Sequence, residues 1–126
     1  MIPFTLAFQP GIPVHEQVTF AAKKALLSGR LRAGDPFPSV RTLSKALKIN
    51  PNTAHKAIMQ LTNEGLLEVR PGLGTVVAER PVIARRDRAR LLARDIEQLV
   101  VESKRIGLTL DELRAAIAEQ WRNLED

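Results

Sequence analysis

The sequence contains no cysteine, which excludes disulfide bonds, thiolate metal sites and cysteine nucleophiles. Its two histidines, His15 and His55, are 40 residues apart and no cluster of carboxylates accompanies them, so we predict no metal site. Paired catalytic carboxylates and a glycine-rich phosphate loop ahead of a helix are also missing. We therefore expect neither an enzyme nor a bound cofactor.

Long apolar runs are missing as well. No stretch approaches the roughly 18 uninterrupted apolar residues of a membrane-spanning helix. The first ten residues have neither the basic start nor the long apolar core of a secretory signal. With 126 residues and 44% apolar content, the chain is predicted to form one ordinary domain or a small domain with an appendage. We expect it in the cytoplasm, without a membrane partner.

Residues 39–65 predict two short helices joined by a tight turn. Ser39 precedes an apolar-periodic run, so its hydroxyl is expected to cap the first helix, which ends near Lys48. Asn50 offers a second cap, and Pro51 suits the first helical position because its missing N–H is not needed there. The apolar faces are predicted to contain Leu43, Ala46 and Leu47 in the first helix and Ala54, Ile58 and Leu61 in the second.

Two β-prone runs follow, at residues 67–70 and 75–78, around a turn at residues 71–74 whose glycines tolerate positive φ. Helix, turn, helix and hairpin in this order form a winged helix-turn-helix. The predicted fold class is therefore mainly α with a small β-hairpin. A second helix presented in this way fits the major groove of DNA, where each base pair shows a distinct pattern of donors and acceptors.

Charge divides unevenly along the chain. Residues 1–78 carry nine Lys or Arg against four Asp or Glu, a net charge of +5, whereas residues 79–126 carry ten of each sign. A basic surface attracts the phosphate backbone of nucleic acids and speeds encounter. An ordinary solvated surface is the alternative, and the helix-turn-helix pattern favours the nucleic-acid interpretation.

Residues 38–78 resemble the GntR family of bacterial transcription regulators, and Asn-Pro-Asn-Thr at residues 50–53 resembles the signature of its YtrA-like branch. The resemblance covers roughly residues 12–78. It implies a DNA-binding role for nine positions. Arg41 matches the arginine that opens the first of the two helices, and the others are Asn50, Asn52, Thr53, His55 and Lys56 at the start of the second helix and Gly72, Leu73 and Gly74 at the wing tip.

The chain before these helices predicts a supporting scaffold. Phe4, Leu6 and Phe8 alternate with other residues, which is consistent with a short strand, an extended arm or a frayed terminus. A helix opens at residues 11–13 and ends near Gly29. Its apolar face is predicted to contain Val14, Val18, Ala21, Ala22, Ala25 and Leu26, and to pack behind the two short helices.

From Glu79 the chain changes character. Pro81 marks a predicted linker, a helix is expected over residues 82–105, and Gly107 ends it. Thr109 and Glu112 form a capping box for another helix. The domain organisation is therefore a winged helix-turn-helix at residues 1–78 and a two-helix dimerisation tail at residues 79–126. The predicted dimerisation residues lie on the apolar stripes of the tail: Leu92, Ile96, Leu99, Leu113, Ile117 and Trp121.

Two helices cannot bury such stripes against each other alone, so we expect a homodimer. The YtrA-like branch, by resemblance, has a short dimerising tail, and dimers of helix-turn-helix proteins read two-fold related half-sites. The leading hypothesis is a dimeric repressor of a nearby operon that binds a palindromic operator in double-stranded DNA. The resemblance implies that the regulated genes encode a transporter. An architectural or protein-interaction module without sequence-specific readout is the alternative.

An arginine cluster at the start of the tail has several interpretations. It comprises Arg80, Arg85, Arg86, Arg88, Arg90 and Arg94. The arginines could pair with nearby acids or those of a partner subunit, bind an anion, or contact nucleic acid. A tail this short encloses no pocket, so a small-molecule effector would act at an interface near this cluster. Control by protein abundance or by another protein is an equal alternative.

Overall fold

The computed structural model describes residues 2–79 and 85–124. The chain forms two compact units, Met1–Val82 and Ile83–Asp126. The predicted linker at Arg80 and Pro81, and the predicted helix start at residue 82, lie outside the described residues.

The first unit has the predicted fold class, mainly α with a two-stranded antiparallel hairpin. Its elements are α1 (Val14–Leu27), α2 (Val40–Leu47), α3 (Pro51–Asn63), β1 (Leu67–Arg70) and β2 (Gly74–Val77). The order helix, turn, helix and hairpin is that of a winged helix-turn-helix.

Local signals fix the ends of α2 and α3. The Ser39 hydroxyl accepts a hydrogen bond from the Thr42 N–H at 3.2 Å, and the Asn50 side chain accepts one from the Asn52 N–H at 2.8 Å. Lys48 ends α2 in the left-handed conformation with φ of 56°, an uncommon choice for a residue other than glycine. Only residues 48–50 separate the two helices, so the turn between them is tight.

The hairpin differs from the prediction by one residue. Arg70 pairs with Gly74, so β2 begins at Gly74 and the loop contains residues 71–73. Ala78, predicted to end the strand, lies beyond it, and its N–H bonds to the carbonyl of Leu66 at 3.0 Å.

A third segment pairs with the other edge of β2, which the sequence did not predict. The N–H of Gly34 donates to the carbonyl of Val77 at 2.9 Å, and the N–H of Phe37 donates to the carbonyl of Thr75 at 2.9 Å. Prolines normally argue against a strand, but Pro36 forms an isolated bridge with Val76 at this edge.

One hydrophobic core joins all elements of the first unit. Its largest fully enclosed side chains are Val18 of α1, Leu43 of α2 and Leu61 of α3. The N-terminal segment packs against this core as an extended arm, because Phe4 is buried and stacks on Phe37 with ring centroids 6.2 Å apart. Leu6 is half-buried and Phe8 is exposed, so the arm is anchored mainly at its start.

Two positions assigned to apolar faces are wrong. Ala46 is exposed, and Ser44 is buried in its place because residues 43, 44 and 47 face the core; the Ser44 hydroxyl donates to the carbonyl of Arg41 at 3.1 Å. Val14 is exposed in the first turn of α1. Gln17 is the buried residue there, and its side chain holds the arm by a pair of hydrogen bonds with the backbone of Gln9, each 2.9 Å.

The second unit contains α4 (Arg85–Arg90), a π-helical turn (Leu91–Asp95), α5 (Ile96–Arg105) and α6 (Leu110–Asn123). The capping box before α6 is present, since Thr109 and Glu112 exchange hydrogen bonds of 3.1 Å. The π turn was not predicted. The N–H of Ile96 reaches back to the carbonyl of Leu91, which is the wider hydrogen-bond spacing of a π turn.

Helices α5 and α6 do not pack along each other within the described chain, so the predicted two-helix hairpin does not close on itself. Of the predicted dimerisation residues, Leu113 is half-buried and the other five are exposed; these are Leu92, Ile96, Leu99, Ile117 and Trp121. In the described ranges, no helix is both long and apolar enough to cross a membrane.

Replacing Leu43 with Ala should lower the free energy of unfolding of the first unit by about 2–5 kcal/mol, because a fully buried side chain leaves a cavity. Leu27→Ala is the matched control, since Leu27 is 66% exposed, and should cost less than about 0.5 kcal/mol. Urea titrations followed by circular dichroism measure both. Equal losses would contradict the assignment of the core.

Candidate nucleic-acid interface

The start of α3 has polar side chains on its solvent side, because the opposite face of the helix is buried in the core. Ala54, Ala57, Ile58 and Leu61 are buried. Asn52, His55 and Lys56 are exposed, and Thr53 is half-buried. The four predicted DNA-contacting side chains within α3 therefore lie together on its free surface.

Asn50 differs from these neighbours in having a structural task. Its side-chain oxygen accepts the N–H of Asn52, which fixes the start of α3. The amide NH₂ group keeps its donors for a ligand. Asn50 can therefore cap the helix and contact a phosphate at the same time.

Arg41 is exposed in the first turn of α2. Lys45, Lys48 and Lys56 are exposed on the same pair of helices, and within the described ranges none of these four cations forms a salt bridge. The reason is visible in the sequence, since no Asp or Glu occurs between Asp35 and Glu64. The helix-turn-helix thus has four positive charges without a local counter-charge.

The two lysines of α1, unlike the four cations of α2 and α3, contact other side chains. Lys23 of α1 forms a salt bridge of 2.9 Å with Glu64 at the end of α3. Lys24 lies over the ring of Phe20 on α1, with its Nζ atom 5.6 Å from the ring centroid. Both lysines of α1 thus have a partner within the first unit, whereas the four cations of α2, its C-terminal end and α3 have none in the described ranges.

The wing tip is a glycine-containing turn with free space around it. Gly72 and Gly74 have φ of 81° and 83°, which only glycine adopts readily, and a side chain there would meet no other atom within 4 Å. Leu73 between them is 68% exposed. The tip therefore offers backbone groups and one apolar side chain.

Charge on the wing is neutralised internally. The Arg70 guanidinium donates to Glu68 at 2.8 Å and lies 3.4 Å from Glu79. The hydrogen bond to Glu68 raises the pKa of Arg70 above its ordinary value. Since Arg70 is the only Lys or Arg between residues 67 and 79, the wing supplies no unpaired positive charge.

The predicted DNA-contacting residues all belong to the first unit, and the predicted dimerisation residues all belong to the second. His15 is half-buried on α1 and His55 is exposed on α3. Among the described residues, no group of His, Asp or Glu is arranged to hold a metal ion. Lys45 and Lys48 were missed as candidates, and the run without acids from residue 36 to 63 is the signal that identifies them.

Fold and surface together define a DNA-binding protein of the winged helix-turn-helix class. Residues 15–77 match the family model of bacterial regulatory proteins, gntR family, and the chain belongs to this family. Its likeness to YtrA-like members extends beyond the winged helix, since two of them match over 108 and 110 residues.

The transcriptional repressor YtrA of Bacillus subtilis is 32% identical over 108 residues, covering 85% of this chain and 83% of YtrA. The uncharacterised regulator YhcF of Bacillus subtilis is 32% identical over 110 residues, covering 87% of this chain and 91% of YhcF. A transcriptional antiterminator from Listeria monocytogenes shares the fold, with a TM-score of 0.88 at 21% identity over 98% of this chain and 92% of its own. The protein is a transcriptional regulator and not an enzyme.

Replacing Arg41 with Ala should weaken specific DNA binding by about 1–3 kcal/mol, because a forked guanidinium contact to a base edge or phosphate is lost. Lys24→Ala removes the same charge from α1 and should change affinity much less. Fluorescence anisotropy with an operator duplex measures both variants. Equal affinities of Arg41→Ala and the wild type would remove Arg41 from the interface.

Proposed function

We propose that the protein is a sequence-specific repressor that binds a palindromic operator as a homodimer. The observation that carries this proposal is the exposed surface of α2 and α3, which combines four unpaired cations with polar side chains at the start of α3. Cations supply affinity for the phosphate backbone, and polar groups can distinguish bases.

Readout of bases is assigned to the start of α3. The amide of Asn52 can form paired hydrogen bonds with an adenine edge, and the imidazole of His55 can donate to an acceptor in the major groove. Arg41 and Lys56 can contact guanine or phosphate, and Asn50 and Thr53 can contact phosphate. Gly72, Leu73 and Gly74 would lie against the backbone or in the minor groove.

The apolar stripe of the tail supports a dimer. Ile96 and Leu99 of α5 are 39% and 41% exposed, and Ile117 and Trp121 of α6 are 50% and 70% exposed. Apolar patches of this kind commonly mark protein interfaces. A second copy would cover the stripe and supply the second recognition helix that a two-fold operator needs.

Similarity to a named repressor supports the proposed direction of regulation. YtrA, which resembles this chain over most of its length, is named a transcriptional repressor. We infer that this protein also represses transcription, that it acts in the cytoplasm, and that its target is a nearby operon. Transporter genes are the target class that the resemblance implies.

Gel shifts with DNA from upstream of the protein's own gene test this function. The wild type should retain the labelled fragment in excess random-sequence competitor, whereas the double variant Asn52→Ala, His55→Ala should lose this preference and keep its weak affinity for random DNA. Equal retention on all sequences would favour an architectural protein. Absence of any binding would favour a protein-interaction module.

Dimerisation is tested by replacing both Ile96 and Leu99 with Asp, which places unpaired carboxylates in the apolar stripe at a cost of several kcal/mol. We expect monomers in sedimentation and much weaker operator binding, since linked binding to two half-sites is lost. The control, Gln98→Asp with Val101→Asp, adds the same charges on the opposite side of α5. Tight operator binding by a monomeric variant would contradict the proposal.

A further inference from the structure

The segment α4 (Arg85–Arg90) is polar on every side. It contains four arginines, one aspartate and one alanine, which gives a net charge of +3 in six residues. All six residues are exposed. The apolar stripe of the tail therefore does not continue into α4, and packing of apolar surface does not explain this helix.

Little of this charge is neutralised nearby. Arg90 lies 3.9 Å from Asp87, at the limit of a salt bridge, and within the described ranges Arg85, Arg86 and Arg88 form none. Elsewhere in the tail an arginine is satisfied, since Arg105 donates to Glu102 and lowers the pKa of that carboxyl. Arg94, Arg114 and Arg122 also form no salt bridge in the described ranges, but they are scattered along the unit, whereas α4 concentrates three unpaired arginines in six residues.

Repulsion within α4 favours an anionic partner. Arg85 and Arg88 are three residues apart, and Arg86 and Arg90 are four apart, so both pairs are neighbours on the helix surface. Like charges at these spacings destabilise a helix, and a row of negative charges beside them removes the penalty. DNA presents such a row, with one negative charge for about every 1.7 Å of its axis.

We propose that α4 is a second DNA-contacting element, in which Arg85, Arg86 and Arg88 bind phosphates outside the contacts made by α2 and α3. The inference rests on the proposed DNA-binding function. Only residues 80–84 connect the winged helix-turn-helix unit to α4, so a DNA molecule held by the first unit meets these arginines at high effective concentration. Phosphate contacts of this kind add affinity without adding sequence preference.

The test measures operator affinity by fluorescence anisotropy between about 50 and 200 mM salt. The variant Arg85→Gln, Arg86→Gln, Arg88→Gln should reduce the slope of log affinity against log salt by about 2–3 per bound subunit. If all three arginines bind phosphate, the variant should lose less affinity than the wild type as salt rises. The ratio of variant to wild-type affinity should then increase roughly fortyfold per subunit over this range. Its preference for operator over random DNA should stay the same.

Two matched variants separate a contact from a general charge effect. Changing the same three residues to Lys keeps the charge and should restore most of the slope. Changing Arg105, Arg114 and Arg122 to Gln removes three exposed charges from the same unit and should leave the slope nearly unchanged. Circular dichroism and sedimentation establish that each variant is folded and has the wild-type mass.

Several results would overturn the inference. An unchanged slope in the α4 variant, with operator binding retained, would reject the phosphate contacts and leave the proposed function intact. An equal loss in the control variant would assign the effect to net charge. Loss of dimer mass in the α4 variant would assign the arginines to the carboxylates of a second copy. A wild-type protein that binds no DNA would reject both the inference and the proposed function.

Discussion

The packing of α3 against α1 and α2 is the constraint on which the first unit depends. Val18, Leu43 and Leu61 come from three different helices, and all three are fully buried in the same hydrophobic core. These helices have 14, 8 and 13 residues, at or below the length of about 12–15 residues under which isolated helices are marginal in water. Because this packing fixes which side of α3 is buried, it also fixes which side chains face solvent. The polar surface at the start of α3 is therefore a consequence of the core.

Acidic and basic side chains are distributed unevenly over the first unit. Acids are absent from residue 36 to residue 63, so the cations of α2 and α3 keep their charge available for a ligand. Where acids return, they pair with the scaffold, as Glu64 does with Lys23 and Glu68 with Arg70. These pairs are exposed and contribute little to stability. The Glu68–Arg70 pair leaves the wing without free positive charge, whereas the cations of α2 and α3 stay unpaired in the described ranges.

The sequence was sufficient where short-range chemistry decides the structure. Ser39, Asn50 and the Thr109–Glu112 pair cap their helices as predicted, because caps depend on residues two or three positions apart.

The sequence was insufficient where residues far apart in the chain decide the structure. The pairing of residues 34–37 with β2 joins segments about forty residues apart and runs through Pro36, which hides it from propensity arguments. The burial of Ser44 instead of Ala46, and the π turn at Leu91–Asp95, likewise depend on packing and on backbone geometry that periodicity does not contain. The roles of the predicted contact residues remain predictions, since the structure establishes only their exposure and grouping.

The composition of α3 explains why two copies would be needed for discrimination. Its start offers Asn52 and His55 where an arginine could make a stronger forked contact with guanine. A good paired contact distinguishes bases by about 1–3 kcal/mol, and a regulator must prefer its site over very many competing sequences. Phosphate contacts cannot supply the difference, because they strengthen correct and incorrect sites alike. Doubling the number of base contacts through a dimer raises the preference for a site without making non-specific binding equally strong. If two copies pair through it as proposed, the exposed stripe on α5 and α6 determines specificity as much as the side chains proposed to touch the bases.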